Sequence, residues 1–148
     1  MKTVQFTNEI LIRSPKSRVA AALANPDDTE KYWYGFRVKM DGSKITYSVA
    51  DHVVIEGEIT KFVPESLIEM TFKGSWDPEI SKDKASVVSW ILEEQDSGKN
   101  TYLKMTHSEM EEGSYSATVL PRGWVNIISS LKSYLETGEP IAIEMKGM

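Results

Sequence analysis

The chain has 148 residues, 41% of them hydrophobic and 26% charged, which is the composition of a globular domain with a substantial core. Its 22 acidic residues outweigh 17 basic ones for a net charge of −5, which disfavours a nucleic-acid partner, and the lack of cysteine excludes disulfides, thiolate metal sites and thiol nucleophiles. No stretch approaches the roughly 20 apolar residues of a membrane span and the N-terminus has no signal-peptide core, so no membrane span and a cytoplasmic location are expected.

Residues 3–13 alternate, with Val4, Phe6, Ile10 and Ile12 facing one way, and predict a half-buried strand. Ser14-Pro15 predicts a helix start, with Ser14 as N-cap, Pro15 at the first helical position and Val19, Ala22 and Leu23 as the apolar stripe. Asn25-Pro26-Asp27-Asp28 repeats that grammar, with acids where the helix dipole favours them. The second helix is short and ends in the aromatic cluster Tyr32, Trp33, Tyr34, Gly35, Phe36.

Alternating segments follow. Phe36, Val38 and Met40 precede the hairpin turn Asp41-Gly42, and Ile45, Tyr47 and Val49 come next. His52 is placed in a turn, and Val53, Ile55, Gly57 and Ile59 share a face opposite Glu56 and Glu58. Ile68, Met70 and Phe72 form another strand, and the polar stretch Ser75–Lys84 reads as a longer loop. Val88, Trp90 and Leu92 lead through a turn at Gln95–Asn100 to Leu103, Met105 and His107, and Glu109–Ser116 reads as a loop. The last element is an amphipathic helix from Leu120 to Thr137, in which Trp124, Ile127, Ile128, Leu131, Tyr134 and Leu135 recur at helical spacing. Pro121 is placed in its first turn, Gly138 just past its end, and Pro140 stops continuation. The whole reads as an α+β chain forming one domain over 1–148. Its curved antiparallel sheet of about six to seven strands wraps a long C-terminal helix, with two short helices after the first strand.

No residue pattern names a reaction. His107 has inward parity, as a hydrogen-bond partner for a ligand, an acid/base, or a structural histidine satisfied by its neighbours. Two histidines without HExxH spacing and no cysteine leave no metal site, and no hydrolase, phosphate-loop or dinucleotide motif is present, so neither a cofactor nor a catalytic residue is assigned. Trp33, Tyr34, Phe36, Tyr47, Met70, Phe72, Trp90, Met105 and Trp124 mostly fall on inward parities, beside Ile128 and Leu131 of the helix. They read either as core or as the wall of an adaptable apolar site, with Tyr47 and His107 as its polar handles.

The order of elements resembles the helix-grip fold of the START and birch-pollen-allergen (SRPBCC) superfamily. Within it the chain is similar to the activator of the 90-kilodalton heat-shock protein ATPase, C-terminal-domain type. The resemblance rests on Arg13-Ser14-Pro15, Tyr32-Trp33, Glu56-Gly57-Glu58-Ile59 before Pro64, Ser86 to Trp90, Thr101 to Ser108, and Gly123-Trp124 followed by Leu131 to Gly138. It implies binding of a hydrophobic small molecule, lipid-like or aromatic, between sheet and helix, without catalysis. A chaperone partner and a place in stress response are what the family name implies. The eukaryotic co-chaperones carry a further N-terminal domain where this sequence opens on its first strand, so that reading stands second. A cyclase-, aromatase- or hydrolase-like enzyme using the same pocket, with His107 as acid/base, is the third.

Overall fold

Alternation along the sequence becomes pairing in space. The structure, a computed structural model, describes residues 2–142, so both ends of the 1–148 unit lie outside the described residues. The strands are β1 (Thr3–Ile12), β2 (Arg37–Asp41), β3 (Lys44–Val49), β4 (His52–Val63), β5 (Leu67–Gly74), β6 (Ser86–Gln95) and β7 (Asn100–Glu111). They form one antiparallel seven-stranded sheet in the order β1-β7-β6-β5-β4-β3-β2. The helices are α1 (Lys16–Ala24), α2 (Pro26–Tyr32), a single-turn α3 (Pro78–Ser81) and the long α4 (Tyr115–Thr137). This is the α+β helix-grip architecture, with α4 packed against the sheet and α1 and α2 closing one flank.

Most of the inward parities hold. Ile68, Met70 and Phe72 on β5, Val88, Trp90 and Leu92 on β6, and Leu103, Met105 and His107 on β7 are all buried. Val53 does not join its expected face. Tyr47 pairs with Ile55 and Ser48 with Val53, so Val54 is an extra residue in β4. That bulge turns Val53 out, 44% exposed, and buries Val54 beside Ile55. His52 opens β4 instead of lying in the turn before it, and it is exposed.

The helix ends differ from expectation in two places. Ser14 does not cap α1: the cap position is Pro15 with no side-chain bond, and buried Ser14 instead offers its carbonyl to the Thr101 hydroxyl at 2.8 Å. At α2 the Asn25 side chain accepts from the Asp27 N–H at 3.1 Å, as its sequence grammar demands. The long helix begins at Tyr115, not Leu120, and the expected loop Glu109–Ser116 shrinks because β7 runs to Glu111. Ser114 is its N-cap, accepting from the Ala117 N–H at 3.1 Å, and Asp83 accepts from the Ser116 N–H at 2.8 Å. Pro121 therefore lies inside the helix, where it removes the N–H that would reach back one turn. The stretch Ser75–Lys84 is likewise not all loop, since Asp77 caps α3 and Ile80 buries beneath it.

Helix α4 spans 23 residues, about 34 Å, and is tied down near both ends. Beyond the Asp83 contact at its start, Lys132 reaches the Leu11 carbonyl at 2.8 Å, and Glu136 accepts from the Arg13 N–H at 2.7 Å. The Tyr134 hydroxyl donates to Asp28 at 2.7 Å, and Arg18 grips the same carboxylate at 3.0 and 3.1 Å. These partly exposed pairs contribute modestly to stability but fix where the helix sits over the sheet.

Close backbone approach explains Gly57. A Cβ there would lie 2.5 Å from the Thr71 carbonyl oxygen and 2.7 Å from Met70 Cε. The methionine end can move, but the carbonyl belongs to the sheet. Gly57→Ala is expected to cost about 1–3 kcal/mol in urea unfolding, and a neutral substitution would show that β4 and β5 separate more readily than this packing implies.

Candidate functional site

The concave face of the sheet holds a cluster of aromatic rings centred on Trp124. Its ring centroid lies 5.9 Å from Trp33, 5.7 Å from Trp90 and 6.1 Å from Phe72. Trp33 in turn lies 4.5 Å from Tyr47 and 5.4 Å from Phe36. Tilted and edge-to-face pairs of this kind contribute about 0.5–1.5 kcal/mol each beyond the area they bury. Five elements deliver them: the end of α2 brings Trp33, strands β3, β5 and β6 bring Tyr47, Phe72 and Trp90, and α4 brings Trp124.

His107 sits at the base of this cluster, fully buried. The Trp124 Nε1–H donates to its Nδ1 at 2.9 Å, and its Nε2 lies 2.6 Å from the Ser86 hydroxyl. An indole N–H can only donate, so Nδ1 must accept and the neutral ring carries its proton on Nε2. Nε2–H therefore donates to Ser86, whose hydroxyl points on to the Phe72 carbonyl at 3.5 Å. The donors run in one direction, from Trp124 through His107 and Ser86 to Phe72. A serine nucleophile needs the reverse arrangement, in which an unprotonated imidazole nitrogen takes the hydroxyl proton. Burial lowers the His107 pKa from 6.5 to about 4, which keeps the ring neutral near pH 7. His107 is thus a structural bracket between α4 and the sheet. Both of its nitrogens are engaged, and it offers a ligand no polar handle.

Two small cavities flank the rings, and Trp33, Phe72 and Trp124 wall both. One, of about 20 Å³, reaches Tyr47, Met70 and Trp90. The other, of about 60 Å³, reaches Phe36, Trp76 and Ile127. Small-molecule sites usually measure ~300–1,000 Å³, so the aromatic side chains themselves occupy the space between sheet and helix. Outside lies an open groove of about 520 Å³, between the end of α1, the β2–β3 hairpin and the outer part of β4. Ala24, Met40 and Ile59 line both this groove and the smaller cavity, so they stand between open surface and aromatic cluster. Phe62, 55% exposed, lies at the groove's outer rim.

The sequence profile of the family described as "Activator of Hsp90 ATPase homolog 1-like protein" matches residues 13–136. The chain belongs to that family. No curated protein matches the sequence. Among solved structures, the Aha1 dimer from Colwellia psychrerythraea is 22% identical, with a TM-score of 0.74 over 91% of this chain and 98% of that one. Protein MLL2253 from Mesorhizobium loti is also 22% identical, with a TM-score of 0.74 over 89% and 96%. CalU16 from Micromonospora echinospora is 15% identical, with a TM-score of 0.71 over 93% and 76%. At these identities the likeness establishes the helix-grip fold alone.

On this Hsp90-ATPase-activator-like fold the residues singled out from the sequence separate into two groups. Trp33, Phe36, Tyr47, Met70, Phe72, Trp90 and Trp124 line one or both cavities. Met105, Ile128 and Leu131 are solid core and line neither, and Tyr34 bonds through its hydroxyl to the Asn126 carbonyl on α4. Met40 and Ile59 were not singled out, although both lie on inward parities of their strands and the alternation already carried that signal. Trp76 was hidden in a stretch read as loop. Among the described residues no group of His, Asp or Glu could hold a metal, and no helix is long and apolar enough to cross a membrane.

Proposed function

We propose that this protein binds a hydrophobic small molecule between the sheet and α4, entering from the groove beside Met40 and Ile59. The observation that supports this best is continuity: Ala24, Met40 and Ile59 line both the open groove and a cavity walled by Trp33, Phe72, Trp90 and Trp124. Methionine is the side chain best suited to reshape such a boundary, because it is unbranched and polarizable. Met40 stands at the boundary and Met70 behind it. Binding then requires side-chain displacement, and the free protein is the closed state of the site.

Native mass spectrometry of the purified protein, followed by a panel of apolar compounds read by tryptophan fluorescence and thermal shift, tests the reading. A carried ligand or saturable quenching with a raised melting temperature is the expected result. Neither a carried mass nor any saturable response across the panel would overturn it. Met40→Trp, which places a bulky rigid ring at the boundary, is expected to weaken binding at least tenfold with the fold intact by circular dichroism.

A further inference from the structure

The polar groups left free inside the aromatic cluster specify the ligand's chemistry. The residues lining the smaller cavity include no Asp, Glu, Lys, Arg or His. Their polar side-chain groups are the Tyr47 hydroxyl and the indole N–H groups of Trp33, Trp90 and Trp124. Trp124 is spent on His107. Tyr47, Trp33 and Trp90 make no side-chain hydrogen bond among the described residues, although each is at least nine-tenths buried, at 6%, 5% and 6% exposure. The one fully enclosed side-chain atom without a partner among the described residues is Asn8 Oδ1. The hydroxyl and the two indole nitrogens are therefore not fully enclosed, and the residues that carry them line the cavity.

An indole N–H can only donate, and burial holds the Tyr47 hydroxyl in its protonated form by raising its pKa. The interior thus presents buried donors without a matching acceptor, in a wall that would leave a charge uncompensated. Resting on the binding function proposed above, we infer that the ligand is an uncharged, flat apolar molecule bearing a hydrogen-bond-accepting oxygen of carbonyl type, which the Tyr47 hydroxyl anchors. Anionic amphiphiles such as fatty acids are excluded from the inner site by the same wall.

Three probes of one shape separate the possibilities: fluorenone, fluorene, which lacks the oxygen, and fluorenecarboxylate, which carries a charge. Equilibrium dialysis on the wild-type protein is expected to show fluorenone binding roughly threefold to tenfold tighter than fluorene, with fluorenecarboxylate weakest. In Tyr47→Phe the fluorenone advantage is expected to vanish while fluorene binding persists. The melting temperature should not fall, because the removed hydroxyl has no protein partner. Equal binding of fluorenone and fluorene by the wild type, or preference for the carboxylate, overturns this inference and leaves an apolar binding site standing. An advantage that survives intact in Tyr47→Phe removes Tyr47 as the anchor and overturns it as stated. Binding of none of the three overturns this inference, while the binding function itself is decided by the carried mass and the wider panel.

Discussion

Trp124→Ala is expected to remove about 5 kcal/mol of stability, a third or more of the ~5–15 kcal/mol available to a domain of this size. Truncating a buried tryptophan costs about 3–5 kcal/mol through lost burial and the cavity left behind. This one also touches Trp33, Phe72 and Trp90 and donates the hydrogen bond that fixes His107. Leaving His107 Nδ1 buried without a donor adds about 1–3 kcal/mol. Trp124→Phe separates the two contributions, since it keeps a ring but loses the donor, and should cost substantially less than the alanine variant. Urea unfolding measures both. A loss below about 2 kcal/mol for Trp124→Ala would mean that the neighbouring rings collapse into the space and that the cluster is not what joins α4 to the sheet.

The second large effect is on acid stability. His107 has a folded pKa of about 4 against the ordinary 6.5, so the folded state binds fewer protons than the unfolded chain between those values. Its contribution to stability is complete above pH 6.5 and is lost as pH falls towards about 4. The gap, at about 1.4 kcal/mol per pH unit, amounts to about 3 kcal/mol in total and about 2 kcal/mol by pH 5. A protonated ring would point Nδ1–H at the Trp124 N–H, its other ring contact is Phe72, and no charged group among the described residues offsets its burial. His107→Gln can still accept from Trp124 and donate to Ser86, and its stability should stay nearly flat from pH 6.5 to 5. Equal pH slopes for wild type and variant would show that His107 does not titrate in this window.

The sheet's inward face was legible because alternation is a local property that survives folding unchanged wherever the register is regular. Leu103, Met105 and His107 illustrate this, all buried as their parity requires. Val53 was not, because one extra residue at Val54 reverses parity and nothing in the amino-acid pattern marks it. The start of α4 was obscured by Pro121, whose preference for a first turn competes with a Ser114 cap and an Asp83 partner far away in sequence. The candidate site was legible in composition but not in state. Sequence placed Trp33, Phe72, Trp90 and Trp124 in a set of large side chains that mostly have inward parity. Whether they surround space or fill it depends on ring orientation, which is set by contacts among four separate elements. His107 shows the same limit, since its role turns on the direction of a single donor, Trp124 Nε1–H.

The central claim is that the aromatic cluster under α4 opens to admit a ligand. The four tryptophan indole N–H signals report on it directly in proton–nitrogen correlation spectra during a fluorenone titration. The account predicts that the Trp33 and Trp90 indole signals move and saturate together, while backbone signals of Leu11, Ile91 and Tyr102, which are at least partly exposed to solvent, stay in place. Indole signals that remain fixed throughout the titration, or shifts confined to those exposed strand residues, would contradict it.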